Sequence, residues 1–197
     1  MTTRMGTLFI FSGPSGAGKD SVLDELKKVE PTIHYVVSFT SRSPRNLEEN
    51  GRDYFFVTSD EMRSLWETGK LLECTEYIPG RLYGIPREPV DSHLRAGLDV
   101  LIKPEVRGAA KIRALYPDAV SIFLAPPSVA EAVRRVELRN KDPLADRSER
   151  FRVIQSEMAA APTFDYYVTN ETGRLEETVQ RVRAIIAEAR SRRNPAC

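Results

Sequence analysis

Thr7-Leu8-Phe9-Ile10-Phe11-Ser12, then Gly13-Pro14-Ser15-Gly16-Ala17-Gly18-Lys19, then Asp20-Ser21-Val22-Leu23 is the stretch that decides the fold. The first run is apolar almost throughout, as a strand buried on both faces must be. The third opens a helix: Val22, Leu23, Leu26 and Val29 repeat as i, i+1, i+4, i+7, one face of an α-helix over Ser21–Val29. Between them lies G-x-x-x-x-G-K. Its glycines permit backbone angles that turn successive N–H groups inward on a phosphate, and the helix amino terminus adds a positive dipole end. Lys19 supplies a full charge to the terminal phosphates. A bare strand-to-helix link needs no lysine in this register, so Gly13, Pro14, Ser15, Gly16, Ala17, Gly18, Lys19, Asp20 and Ser21 are expected to cradle a nucleoside triphosphate. The residue after such a lysine is ordinarily Ser or Thr, which binds Mg²⁺. Here it is Asp20, which either offers a hard carboxylate oxygen to the metal or stabilises the first helical turn against the dipole.

Outward from this stretch, Tyr35–Phe39, Val100–Lys103, Val120–Leu124 and Tyr166–Thr169 are further β-rich runs, and Val129–Leu138 and Leu175–Ala189 carry helical stripes. Apolar strands alternating with amphipathic helices predict a parallel sheet covered on both faces. From about Ser41 to Glu88 the rhythm breaks into charge and turn residues. That segment reads as an inserted lobe, with Tyr54–Val57 and Leu71–Glu76 as short antiparallel strands. Arg139–Arg147, polar and holding Pro143, reads as a mobile loop between two helical stretches.

The chain has 197 residues, 29 Lys+Arg against 28 Asp+Glu, and a net charge of +1. One domain with an inserted lobe is expected at this length. A balance so near neutral argues against non-specific binding to nucleic acid or anionic membrane. Leu8–Phe11 and Ile122–Ala125, the longest apolar runs, are too short to cross a bilayer. The amino-terminal run breaks into Gly and Pro and reads as a strand, not a secretion signal. Cys74 and Cys197 show no framework spacing, which suggests a reducing, cytoplasmic setting.

Several further stretches, taken in order, carry a resemblance: SGPSGAGK, VSFTSRSPR, NGRDYFFV, GKLLECTEY, RLYGIPRE, Val106-Arg107-Gly108-Ala109, FLAPPS and FDYYVTN. Together they resemble the guanylate kinase family over nearly the whole chain. The resemblance implies an α/β fold: a P-loop NTPase-type parallel sheet flanked by helices, with a small nucleoside-monophosphate lobe and a lid. It places the core at about 5–38, 89–138 and 151–190, the GMP-binding lobe at 39–88, and the lid at 139–150. It implies Mg²⁺-dependent transfer from ATP to GMP, with no obligate protein partner evident.

Arg42 and Arg45 can converge two guanidinium forks on one phosphate, and Tyr54 and Tyr83 can add phenolic groups. Taken alone, an R-x-x-R loop is equally a solvated turn. The resemblance makes these four the grip on the acceptor's 5′-phosphate. Glu73 is the most informative single residue. Guanine presents N1–H and an exocyclic amine side by side, two donors for one carboxylate, whereas adenine would meet it with a lone pair. The plainer reading is an exposed strand residue paired to a Lys or Arg. By resemblance Glu73 reads the base, with Ser38 assisting and Glu105 on the base side. Lys19 and Arg42, with Arg135, Arg139 and Arg150 as lid arginines, are expected to carry catalysis. Arg134 and Arg147 read as a solvated face.

Three positions depart from the family. Ile85 replaces a hydroxyl residue near the base, Lys103 replaces the first Asp of a pair whose second becomes Glu105 and keeps its carboxylate, and Arg107 replaces the Gln of Q-G. Asp20 is expected to take over the metal-organising carboxylate role, with Lys103 offsetting its charge. Two other readings belong to the same sequence. A ribose 1,5-bisphosphate phosphokinase shares the fold and suits Gly18-Lys19-Asp20-Ser21, but has no guanine to justify keeping Glu73 with Arg42, Arg45, Tyr54 and Tyr83. A non-catalytic guanylate-kinase-like binding module has no use for Lys19.

Overall fold

The computed structural model describes residues 5–45, 47–139 and 147–193. In chain order the elements are β1 Leu8–Ser12, α1 Lys19–Val29, β2 His34–Tyr35, β3 Phe39–Thr40, β4 Phe55–Phe56, α2 Ser59–Glu67, β5 Leu71–Ile78, β6 Arg81–Pro86 and α3 Arg87–Arg95. They continue with β7 Val100–Ile102, α4 Val106–Leu115, β8 Val120–Ala125, α5 Val129–Arg139, α6 Arg147–Met158, β9 Tyr166–Thr169 and α7 Leu175–Arg193. The main sheet has five strands in the order β2-β7-β1-β8-β9. Two compact units share the chain: Met1–Ile10 with Thr32–Ala119, and Phe11–Pro31 with Val120–Cys197.

In the first unit, β1 and β2 both run parallel to β7, with Leu8, Phe9 and Ile10 opposite Val100, Leu101 and Ile102. These six are buried, as expected of a parallel sheet covered on both faces. A second, four-stranded sheet follows the order β4-β3-β6-β5. The expected single strand Tyr35–Phe39 is divided between the two sheets. Val36 N–H still bonds Leu101 in the first, and by Phe39 the chain pairs with Gly84 in the second. One apolar run serves two cores here, and hydropathy cannot mark the crossing. The expected strand Tyr54–Val57 shortens to β4 and pairs parallel to β3, not antiparallel. Leu71–Glu76 extends into β5 and forms an antiparallel hairpin with β6 through Gly80, whose φ of 79° suits a tight turn.

Helices α2, α3 and α4 lie within charged sequence. Thr58 and Glu61 close a capping box on α2. Val90 and Leu94 are buried on α3, and Val106, Ala109 and Ile112 on α4.

The chain's two histidines meet in this unit. The rings of His34 and His93 stack with centroids 3.5 Å apart, and His93 Nδ1 donates to Pro89 carbonyl at 2.7 Å. Burial, reinforced by the nearby His93, lowers the His34 pKa below its ordinary value of 6.5. The unfolded chain then binds this proton more readily, so stability falls as pH drops through the window from 6.5 to the folded value. Melting midpoints of the parent and His34→Gln, compared from pH 8 to pH 5.5, should differ in slope, because only the parent loses this contribution as pH drops. An unchanged slope in the variant would assign the effect elsewhere.

In the second unit, β8 and β9 run parallel, with Ile122 opposite Tyr166 and Ala125 opposite Thr169. Helix α1 begins two residues before the expected Ser21 and buries Val22, Leu23 and Leu26, while Val29 is exposed. Helix α7 buries Val179, Val182, Ile185, Ile186 and Ala189. Glu30, just past α1, takes Arg183 and Arg190 of α7, both at 2.8 Å. Ala132 and Val133 of α5 pack on Ile154 of α6, with Val129 and Met158 around them. The loop expected at Arg139–Arg147 has its ends inside α5 and α6, and 140–146 lie outside the described residues. No helix among the described residues is long and apolar enough to cross a membrane.

Candidate active site

Strand β1 ends in the glycine loop. Gly13, Gly16 and Gly18 have φ of 151°, 82° and 92°. At Gly13 a β-carbon would lie 2.0 Å from Leu124 carbonyl oxygen, and at Gly18 it would lie 2.3 Å from Asn170 Nδ2. Glycine is required on both counts. Lys19 Nζ donates to the carbonyls of Gly13 at 2.5 Å and Pro14 at 3.1 Å, arching the ammonium over its own loop. Asn170 Nδ2 donates to Ala17 carbonyl at 2.8 Å, and Asn170 Oδ1 accepts the Thr178 hydroxyl at 3.2 Å. Ser15 N–H donates to the Glu157 carboxylate of α6 at 3.3 Å, so an anionic group already occupies one loop donor.

Asp20 lies in the first turn of α1. Its carboxylate is the hard oxygen donor Mg²⁺ prefers. Among the described residues, no three His, Cys, Asp or Glu side chains gather as a metal cage. One carboxylate suits an ion that arrives on phosphates and keeps several waters.

Arg135 is tied down by three groups: Glu131 at 2.9 Å, Asn170 carbonyl at 3.1 Å and Thr172 Oγ1 at 2.9 Å. Arg134 also pairs with Glu131, bidentately, on an exposed face. Arg139 and Arg150 fall on α5 and α6, and their side chains lie outside the described residues, as does that of Arg147.

In the first unit, Arg42 is 8% exposed and held on every side. Nε donates to Tyr83 Oη at 3.2 Å, and Nη1 and Nη2 donate to the two oxygens of Glu48 at 2.7 and 2.8 Å. Glu48 also accepts Arg45 N–H at 2.8 Å and faces the Arg45 guanidinium at 3.9 Å. Burial opposes the Arg42 cation, but the hydrogen bond to Glu48 overrides it and lifts the guanidinium pKa above normal. Arg42 and Arg45 therefore converge on one anion, as two forks on a phosphate would. The Tyr54 ring carries the Arg42 guanidinium 5.0 Å from its centroid and Lys103 Nζ 4.6 Å from it. Lys103 thus adds a third positive group to the Arg42–Tyr54–Tyr83 cluster. Glu48 was not singled out in the sequence, although its place three residues past Arg45 could have raised it.

Glu73 is fully buried, not exposed and paired across the strand. A register shift between Leu71 and Glu73 departs from strict alternation, and Leu71, Leu72 and Glu73 are all buried in succession. Oε2 accepts the Thr75 hydroxyl at 2.6 Å, and Oε1 has no partner. Ser38 Oγ is likewise buried and unpartnered. Burial raises the Glu73 pKa to about 7; Thr75 and Lys111 pull it down, and Glu105 pushes it up. Gly108 of α4 backs the carboxyl closely, since a β-carbon there would lie 2.6 Å from Glu73 Cδ. Glu105 is the N-cap residue of α4 and makes no side-chain cap bond. Ile85 is buried beside Glu73 in the β5–β6 pairing, where it offers no hydroxyl. A buried carboxylate oxygen without a donor costs roughly 1–3 kcal/mol or more. Such an atom is free to accept a hydrogen-bond donor from a ligand.

Comparison with known proteins covers both units. The family model described as guanylate kinase matches residues 5–189. A guanylate kinase of Shouchella clausii is 38% identical over 193 residues, 98% of this chain and 93% of its own. One from Bacillus subtilis is 38% identical over 182 residues, 92% of this chain and 88% of its own. Among solved structures, a guanylate kinase from Anaplasma phagocytophilum matches with a TM-score of 0.76 at 29% identity, covering 93% of this chain and 86% of that one. A shikimate kinase from Acinetobacter baumannii, at 12% identity and a TM-score of 0.50, is alike in fold alone. With a family model matched over residues 5–189 and relatives 38% identical along nearly its whole length, the chain belongs to the guanylate kinase family.

Proposed function

We propose that this protein transfers the γ-phosphoryl group of ATP to the 5′-phosphate of GMP, giving ADP and GDP. One observation carries the choice of acceptor: a fully buried carboxylate with one oxygen unpartnered, in the same unit as a buried, unpartnered serine hydroxyl and a two-arginine anion grip. Guanine supplies two adjacent N–H donors to such a carboxylate, and adenine supplies none in that arrangement.

Each residue then has a task. The loop N–H groups of Gly13–Ser21 hold the ATP phosphates, and Lys19 leaves its loop carbonyls to neutralise the terminal ones. Arg42, Arg45, Tyr54 and Tyr83 hold the GMP phosphate, with Lys103 adding charge beside Tyr54. Glu73, Ser38 and Glu105 hold the base. An oxygen of the GMP phosphate attacks the γ-phosphorus, and the bond to the β-phosphate bridging oxygen breaks toward ADP. Positioning and positive charge supply most of the acceleration. Asp20 would hold Mg²⁺ brought in with the ATP, and the ion would supply positive charge to the phosphates. Arg135, at the end of the core segment 89–138, acts with Arg139 and Arg150 of the lid, 139–150, and the lobe at 39–88 carries the acceptor. A cytoplasmic setting follows from two cysteines without framework spacing.

Ribose 1,5-bisphosphate offers no base to Glu73. A binding module has no call for Lys19. A coupled assay with ATP and Mg²⁺, comparing GMP, AMP and ribose 1,5-bisphosphate, separates the readings. GMP should be the acceptor used; turnover of the sugar bisphosphate without GMP would overturn the assignment.

A further inference from the structure

We propose that Thr75 is a positioning residue for guanine recognition: its hydroxyl, backed by Lys111, pins Oε2 of Glu73 and presents Oε1 to the base. The inference rests on the GMP reading above and adds to it a residue outside the phosphate and base contacts.

A hydroxyl carries one proton. Thr75 Oγ1 gives it to Glu73 Oε2 at 2.6 Å, and its own lone pair faces Lys111 Nζ at 3.5 Å. The same ammonium donates to Cys74 carbonyl at 3.1 Å, which fixes it beside the strand. Polarity therefore runs one way, from Lys111 through Thr75 to Glu73, and each link strengthens the next. The carboxyl occupies the space a side chain at position 108 would fill, since a β-carbon there would lie 2.6 Å from Oε2 and 2.8 Å from Oε1. Two oxygens that are chemically equal become unequal: Oε2 accepts from Thr75 and keeps one lone pair for a guanine donor, while Oε1 is buried without a partner and is left to the other donor.

The charged and titratable groups acting on Glu73 are Lys111 and Glu105 of α4, with Thr75 and Cys74 beside it on β5. Lys111 and Thr75 favour the ionised acid that guanine requires, and Glu105 opposes it. Loss of the Thr75 hydroxyl removes both the orientation and part of the support for the negative charge.

Thr75→Val keeps the shape and deletes the hydrogen bond. It should raise the KM for GMP about tenfold at pH 7 with kcat within about twofold and the KM for ATP unchanged. The acidic limb of kcat/KM for GMP against pH should also move upward by about half a unit or more. Thr75→Ser, which retains the hydroxyl, should restore both. Because a packing defect leaves the pH limb in place, the shift separates positioning from structure. A Val variant that is folded, with parental KM and pH profile, overturns the proposal, as does a Ser variant that fails like Val. If the parent itself does not phosphorylate GMP, the functional reading fails first, and that failure is visible before any variant is made.

Discussion

Glu73→Ala should reduce kcat/KM for GMP by about a thousandfold, the loss of two charge-assisted hydrogen bonds at roughly 2 kcal/mol each. ATP binding, followed by titration with a non-hydrolysable analogue, should be unchanged, because the glycine loop and Asn170 lie in the other unit. Equal loss of both would make Glu73 a structural residue. The titration of this acid adds a pH signature. With its pKa raised to about 7 by burial, the acid is partly protonated in the free protein at neutral pH, so the KM for GMP should fall as pH rises through 7. Stability moves the opposite way. A folded pKa above the unfolded 4.5 means the folded state binds the extra proton between those values. The stabilisation is whole below 4.5 and is lost as pH rises through about 7. Glu73→Gln should therefore melt higher than the parent at pH 8 while failing as a GMP kinase. A carboxylate kept buried at the expense of stability is one retained for what it binds.

Lys19→Met should lower kcat by about 10³-fold, in line with removal of one preorganised charge from a developing phosphate transition state. GMP affinity, measured alone, should stay within about twofold, since Arg42, Arg45 and Glu73 are untouched. In the structure the ammonium rests on the carbonyls of Gly13 and Pro14, so thermal melting of the variant belongs beside the kinetics. Stopped or steady-state kinetics with saturating ATP give the number. A variant retaining a tenth or more of parental kcat would remove Lys19 from the chemistry.

The parts of this protein that depend on local pattern were legible. The β1–loop–α1 passage follows from an apolar run, glycines in register and a 3.6-residue stripe, and each is a short-range signal. Strand β6 was not legible, because its function as a strand is set by the partners β3 and β5 on either side. The division of Tyr35–Phe39 between two sheets was hidden for a related reason: both destinations bury apolar residues, so the run looks continuous. Charge-rich helices α3 and α4 escaped because a narrow apolar stripe is enough once a sheet lies behind it.

The same boundary runs through the site. Arg42, Arg45 and Glu73 announced themselves by residue type and resemblance. Gly108 and Lys111 act through proximity, which no spacing along the chain encodes. Gly108 is instructive, because its lack of a side chain matters only where a carboxyl from β5 presses on α4. Lys103 was read as a charge offset for Asp20. Its ammonium lies 4.6 Å from the centroid of the Tyr54 ring, where its charge joins the acceptor grip.

Selective recognition of guanine by a buried acid is the claim from which the rest follows. Direct calorimetric titration of the unmodified protein with GMP, IMP and AMP under one buffer tests it in a single series. GMP should bind most tightly, IMP, lacking the 2-amino donor, more weakly by about one to two orders of magnitude, and AMP not measurably. AMP binding as tightly as GMP would contradict the account.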